Sequence, residues 1–279
     1  MIERRRLLAA TALASLVPPG TALAQSELSA LERVRKRGIL VVAVYEDHPP
    51  FHVAGKGIDA EIAAALAEGL GVKLSLLAMR ADEKLDDDLR HAVWKGHFLG
   101  WGPADVMLHV PVDAPLIEKT PQVSIFGPYY RERVALAWDR NRGPVPESML
   151  ALKGQPIAVP GQSLAGWLMI GAEGGALRET LTTRYADGTE AAAALKAGDV
   201  AAAAGLASEL ESSLVGQTRY AVMPLPMPRA PRDGWAVGMA VKRGSTDLAE
   251  ALQRRVNELS AGPVMRDIFQ RHGVAWRPQ

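Results

Sequence analysis

Histidines, one serine and a handful of acids are the residues of this chain whose types could do chemistry, and none falls into a catalytic or metal-binding spacing. His48 and His52 stand four apart, which on a helix would turn both toward one metal ion. Pro49 and Pro50 lie between them and exclude that helix. His91, His97 and His109 have no recognisable ligand spacing, so no metal site is expected. Ser163 has no accompanying His and Asp arrangement, so a hydrolase triad is unsupported. Asp47, Glu61 and Asp113 could be imagined as acid and base. Asp47 reads better as a residue that fixes its loop, and Glu61 as an exposed helix position. Pro160-Gly161-Gln162-Ser163 opens an apolar run at Leu164 and would aim backbone N–H groups at an anion, although a plain helix cap accounts for the same residues. The aromatics remain. Phe51, Trp101, Tyr129, Tyr130, Trp167 and Trp235 fall near expected loops or crossings, where aromatic side chains serve cores and binding surfaces alike. The residues favour binding over catalysis. No enzyme activity and no cofactor are expected.

The elements that must position these residues alternate. Ile39–Tyr45 is a continuous apolar run, the mark of a strand buried on both faces. Gly57 to Gly71 reads as a helix, with Ile58, Ile62, Leu66 and Leu70 every four residues, Asp59 as a candidate cap and Gly71 as its end. Val72 to Leu77 is strand-like. Asp82 to Lys95 is a second helix with Asp86 to Asp88 expected on a solvated face. Val106 to Val110 is a third strand. This order predicts a mostly parallel sheet covered by helices. A proline-punctuated loop holding Pro111, Pro115 and Pro121 follows, and then Phe126-Gly-Pro-Tyr-Tyr130 runs straight into a strand over Val134–Trp138. With no helix between, the chain is crossing from one body into another. There the pattern restarts: a short strand at Pro156 to Val159, a helix over Glu190 to Ala197, and a strand at Ala201 to Ala204, chosen against helix propensity because Gly198-Asp199 breaks the chain. Trp235 to Val241 is the expected return crossing, with closing helices over Leu248–Leu259 and Val264–His272. The lobes are therefore expected to be 25–133 with 239–279, and 134–238.

Composition narrows the setting. Arg4-Arg5-Arg6, an apolar run over Leu7 to Val17 and Ala22-Leu23-Ala24 form an export signal over residues 1–24, of either the general or the twin-arginine route. The apolar run is too short for a membrane helix, which needs roughly 20 residues. No membrane anchor is expected, and no cysteine is present for a lipid anchor or a disulfide. The full chain has 32 basic and 31 acidic residues; losing the signal removes three arginines and one glutamate and tips the balance to one net negative charge. Nothing in that balance invites nucleic acid. A periplasmic monomer is expected.

The stretches LVVAVYEDHPPF (40–51), GIDAEIAAALAEGLG (57–71), the Asp105 to Tyr130 span and the WAVGMAVKRG…L…VNEL ending (235–259) resemble the periplasmic solute-binding proteins of the amino-acid-binding class. The resemblance implies an α/β, two-lobed, type II fold with two crossing hinge strands and a central cleft that closes by hinge motion. Members that bind amino acids carry an arginine shortly after the strand matching Val106–Val110, which forks onto the ligand carboxylate. They also carry an acid in the second lobe for the ligand ammonium. Here no arginine occurs between Asp105 and Tyr130, and the second position falls at Gly205-Leu206. A zwitterion would forgo charge-assisted bonds worth ~1.5–3 kcal/mol each while keeping its desolvation cost. Free amino acids are not expected to bind.

The wording GHFLGWGPADVMLHVPVD (96–113) with QVSIFGPYYRE (122–132) is similar to the MxaJ/XoxJ-type accessory proteins encoded beside pyrroloquinoline-quinone methanol dehydrogenases. That resemblance implies a PQQ-dependent methanol dehydrogenase, of the calcium or lanthanide type, as partner and a role in its maturation or activation. The alternative is an importer subunit for a small neutral or apolar solute. The residues expected to line the cleft are Asp47, His48, Phe51, His109, Tyr129, Tyr130, Gln162, Ser163, Trp167, Gly205 and Trp235.

Overall fold

The computed structural model describes residues 28–227 and 233–278, so the export signal read over 1–24 lies outside them. The first sheet has the order β2-β1-β3-β10-β4. Helix α1 (Ala30–Arg37) leads in, held by a reciprocal cap between Ser29 and Glu32. Strand β1 (Ile39–Tyr45) pairs in parallel with β2 (Lys73–Met79) and with β3 (Val106–Pro111). Its apolar run is explained by two cores: Leu40, Val42 and Val44 enter one, and Ala43 enters the other on the opposite face. β10 (Trp235–Lys242) lies antiparallel between β3 and β4 (Val123–Glu132), which makes the sheet mixed.

Helix α2 (Ile58–Gly69) covers the first core but starts differently from the expectation. Gly57, at φ 127, is its cap, and a Cβ there would meet the Phe51 carbonyl oxygen at 2.3 Å. Asp59 turns inward and is buried. The next helical stretch is α3 (Leu85–Leu89) continued by a single π turn over Arg90–Trp94. Its acids are not all solvated: Asp88 is buried, accepting from the Tyr45 hydroxyl at 2.8 Å and the Asp82 amide at 2.7 Å. The proline loop contains a short helix α4 (Ala114–Lys119), with Asp113 at its cap and Pro115 in its first turn, where a missing N–H costs nothing.

Only Arg133 separates β4 from β5 (Val134–Asp139), which belongs to the second sheet, order β7-β6-β8-β5-β9. That sheet collects β6 (Ile157–Ala158), β7 (Leu181–Thr182), β8 (Ala202–Leu206) and β9 (Tyr220–Pro224), covered by α5 (Leu164–Gly171), α6 (Gly188–Ala197) and α7 (Ala207–Ser213). The alanine run is a strand because both its faces are buried: Ala202 and Ala204 enter one core and Ala203 another. Small side chains let helices approach on both sides, and this outweighs alanine's helix preference.

The chain is back in the first sheet at Trp235, which pairs with Glu132, so the boundary read at 238/239 falls inside β10. Trp235 packs against the apolar cores of both sheets. Helices α8 (Thr246–Ala261) and α9 (Val264–Arg271) then close the first core. Glu61 on α2 is half-buried, bonded to Arg271 and to His272 at 2.7 Å, so it is a helix-to-helix tie. The C-terminal segment adds a third link between the sheets. It pairs with β4 through Arg131 N to Arg277 O at 2.9 Å, and reaches α7 through Arg277 to Glu211 at 2.7 Å and Ala275 N to Glu211 at 2.9 Å.

Gly234 enters β10 at φ 66, and a Cβ there would stand 1.7 Å from the Glu132 carbonyl oxygen. Gly234→Ala is expected to destabilise the protein by more than ~1 kcal/mol, seen as a lower urea midpoint. An unchanged midpoint would show that the crossing tolerates rearrangement.

Candidate cleft and its walls

The first wall forms at the carboxyl ends of β1 and β3, the edge at which open α/β sheets bind ligands. Past β1 the chain folds into a tight bridge: His48 N donates to His52 O at 2.8 Å and His52 N to His48 O at 2.9 Å. His52 is buried as scaffolding. Its Nε2 accepts from Gly55 N at 3.1 Å, so its Nδ1 carries the proton and donates to Tyr45 O at 2.8 Å.

His109 sits on β3 at φ 61, an unusual backbone for a residue with a side chain. It is held there by a buried chain of bonds. Its N–H donates to the Tyr129 hydroxyl at 3.0 Å, and that hydroxyl donates to Asp59 at 2.9 Å. His109 Nδ1 stands 3.2 Å from the other Asp59 oxygen, without the alignment of a hydrogen bond. Burial and the Asp59 carboxylate hold the Tyr129 phenol far above its usual range. The His109 ring lies edge-on to Phe51 at 4.1 Å and to His48 at 4.4 Å. Burial, then the neighbouring His109, pushes His48 down to about 3, so it presents a neutral ring at physiological pH.

The expected cleft residues therefore divide. His48, half-buried, lines the surface of the first wall, His109 is buried against it, and Phe51, Tyr129 and Tyr130 are fully buried behind them as support. Asp47 is exposed at φ 41, at the mouth of a cavity of about 380 Å³ lined by Tyr45, Glu46, His48, Arg80 and Ala81. Trp235 belongs to a separate apolar recess of about 490 Å³ with Leu85, Pro111, Pro115 and Leu116.

On the second wall Ser163 caps α5, accepting from Gly166 N at 3.1 Å and donating to Pro160 O at 2.7 Å, so its hydroxyl is committed to the cap. Gln162 beside it is exposed. Trp167 is 75% exposed, one turn from the exposed Leu164, and gives α5 an apolar outer face. Gly205 is buried where a Cβ would stand 2.7 Å from Gly188 Cα. The acid absent from positions 205–206 has a counterpart that the sequence reading missed. Glu209 folds back to accept from Leu206 N at 2.9 Å and Gly188 N at 3.1 Å, and burial raises its carboxyl to about 7. The residue three before it is Leu206, whose side chain cannot cap, so the sequence carries no capping-box signature that would have revealed it. Tyr45, Asp59 and Arg80 were likewise not anticipated. Among the described residues, no group of three or more His, Cys, Asp or Glu could hold a metal ion.

This architecture is the two-lobed, type II fold of solute-binding proteins. Three solved structures carry it closely. One is an ancestral cationic amino acid solute-binding protein, 17% identical with TM-score 0.70, over 88% of this chain and all of that one. Another is an amino acid ABC transporter substrate-binding protein from Streptococcus pneumoniae bound to L-arginine, 23% identical with TM-score 0.60, over 88% and 98%. The third is substrate-binding domain 2 of Lactococcus lactis GlnP in an open conformation, 19% identical with TM-score 0.61, over 85% and 96%. No protein-family model matches the chain, and no curated protein sequence matches it.

Two outcomes test the walls. Tyr129→Phe strands the Asp59 carboxylate and the His109 amide in the interior, and should cost ~1–3 kcal/mol in chemical denaturation. Glu209, with its carboxyl raised above the unfolded value, stabilises the fold below about pH 4.5, and that contribution is lost as pH rises through about 7. The stability difference between wild type and Glu209→Gln should therefore change by ~1–3 kcal/mol between pH 4.5 and 8, the wild type losing ground as pH rises. A difference independent of pH would remove burial as the cause.

Proposed function

We propose that this protein is a periplasmic, non-catalytic binding protein that docks a PQQ-dependent methanol dehydrogenase and supports its maturation or activation, as the MxaJ/XoxJ type is thought to do. The observation that carries the reading is a pair of walls that lack the arginine and the free acid a zwitterion needs, with Asp47 the exposed charge, unpaired among the described residues, at the mouth of the first-wall cavity. The first wall offers the neutral ring of His48, there is no arginine between Asp105 and Tyr130, and the acid nearest the second wall, Glu209, is tied to two backbone amides. Such walls suit an apolar segment of a protein better than a zwitterion, whose charges would lose water and gain no partners. The wording of 96–113 and 122–132 supports the dehydrogenase as that protein. Among the described residues no helix is long and apolar enough to cross a membrane, which accords with action in the periplasm.

The cavity beside Tyr45 and His48 favours one second reading, an importer subunit for a small neutral or apolar solute. The arginine and cationic amino acids in the names of the similar structures belong to those proteins; here a cation would meet Asp47 and Glu46 at the rim, but Glu46 is already paired with Arg80 at 3.3 Å.

Titration calorimetry should register binding of purified PQQ-dependent methanol dehydrogenase and no heat with the common free amino acids, arginine included. A micromolar dissociation constant for any free amino acid would overturn the reading. Trp167→Ala should weaken dehydrogenase binding by ~2 kcal/mol or more if that exposed ring is an anchor. Its melting temperature should not move, because the ring makes little contact with the rest of the protein.

A further inference from the structure

The loop between the π turn and β3 carries a feature that neither cleft wall uses. Phe98 is 86% exposed and Leu99 72%, the largest adjacent pair of apolar side chains held in solvent among the described residues. They are not held there by slack chain. His97 N donates to Trp101 O at 2.9 Å and Gly100 N to His97 O at 2.9 Å, which closes the loop into a turn. The His97 ring stacks on Trp101 at 4.5 Å with only 8° between planes, and its Nδ1 accepts from Leu99 N at 3.2 Å. Gly96 and Gly100 bracket the tip at φ 84 and 85, conformations that side chains rarely adopt. Behind the stack, Trp101 joins the core under the first sheet. The two apolar side chains that this firmly built turn presents outward add little to the stability of its own fold. It also loses little conformational entropy when the tip is covered.

Beside the tip opens a cavity of about 420 Å³ lined by Arg90, His91, Lys95, Gly96, His97 and Phe98. Arg90 is partly neutralised by Asp87 at 2.6 Å, and His91 contacts Asp82 at 2.8 Å. The exposed Lys95 ammonium has no carboxylate within 4 Å among the described residues. The surface is thus an apolar knob next to a recess with a cationic edge. It lies where the chain enters the amino end of β3, whereas the cleft wall forms at the carboxyl ends of β1 and β3.

We propose that residues 95–101 are a docking knuckle for a protein partner whose surface provides an apolar socket with carboxylates on its rim. A knob with a recess beside it fits a protein of matching relief; a lipid surface would have no use for the recess. The inference rests on the dehydrogenase reading for its partner, and it places part of the contact away from the cleft.

Surface plasmon resonance with immobilised purified methanol dehydrogenase tests it, using wild type, Phe98→Ser/Leu99→Ser and Lys95→Glu. The double variant should keep its melting temperature, since both side chains are largely exposed and the ring contact Phe98 makes, with His97 at 4.2 Å, lies within the tip, and it should bind at least tenfold more weakly. Lys95→Glu should slow association severalfold at low salt and little at high salt. If wild type binds and the double variant binds equally well, the knuckle is overturned and the cleft reading stands. If wild type does not bind at all, both fall. If wild type instead binds phosphatidylglycerol vesicles and the double variant does not, while their dehydrogenase binding is equal, the tip is a lipid-contact element and the proposal is overturned.

Discussion

The relation between the two sheets depends on a carboxylate buried at the crossing. Glu132 ends β4 and is 1% exposed; it accepts from the Ser208 hydroxyl of α7 and from Arg133 N at 2.8 Å, with Arg277 3.8 Å away. Leaving such a group unpaired would cost several kcal/mol, so the side chains around it are not free to move independently. Ser208 ties it to the second sheet, and Arg277 ties the C-terminal segment to Glu211 of the same helix and to the Tyr130 hydroxyl. Burial nevertheless outweighs these bonds and keeps the Glu132 carboxyl above its ordinary range. The crossing is a polar knot inside an apolar hinge, with Trp235 packed against both cores beside it.

The same economy recurs wherever this chain buries an acid. Asp59 is answered by the Tyr129 hydroxyl and lies against His109; Asp88 by Tyr45 and the Asp82 amide; Glu209 by two amides of the second lobe. Each of these carboxylates stands behind a cleft wall or hinge element and fixes its backbone. None is left as an unpaired charge facing the cleft. The consequence is that these carboxylates serve the fold and are committed to hydrogen bonds within it. Arg80 and Glu46 at the mouth pair with each other, and Asp47 stands exposed beside them.

Most of the architecture could be read directly from the order of residues. Ile39–Tyr45 announces a strand buried on both faces, the crossing without a helix at Tyr130 to Val134 announces a second body, and Gly198-Asp199 rightly breaks the alanine run. These are local signals: hydrophobic period and turn chemistry act over a few neighbouring residues, and tertiary packing reinforces them here. The same local logic placed Ser163 at a helix cap, where it stands.

The tertiary structure alone decided which candidate residues are buried and which stand at the surface. Asp59 has the type and position of a helix cap, yet the Tyr129 hydroxyl, seventy residues away, draws it inward. Asp88 sits in a run of acids that looks solvated, yet the Tyr45 hydroxyl reaches it. Tyr129 and Tyr130 lie next to the crossing in sequence but point into the first core, because β4 has β10 beside it and α8 packed across it. Side-chain direction on a strand is set by register with partners far along the chain, and a buried polar group is satisfied by whichever donor the fold brings near. Neither can be read from neighbours in sequence, so the elements were legible while the inward or outward choice at His109, Phe51 and Glu209 was not.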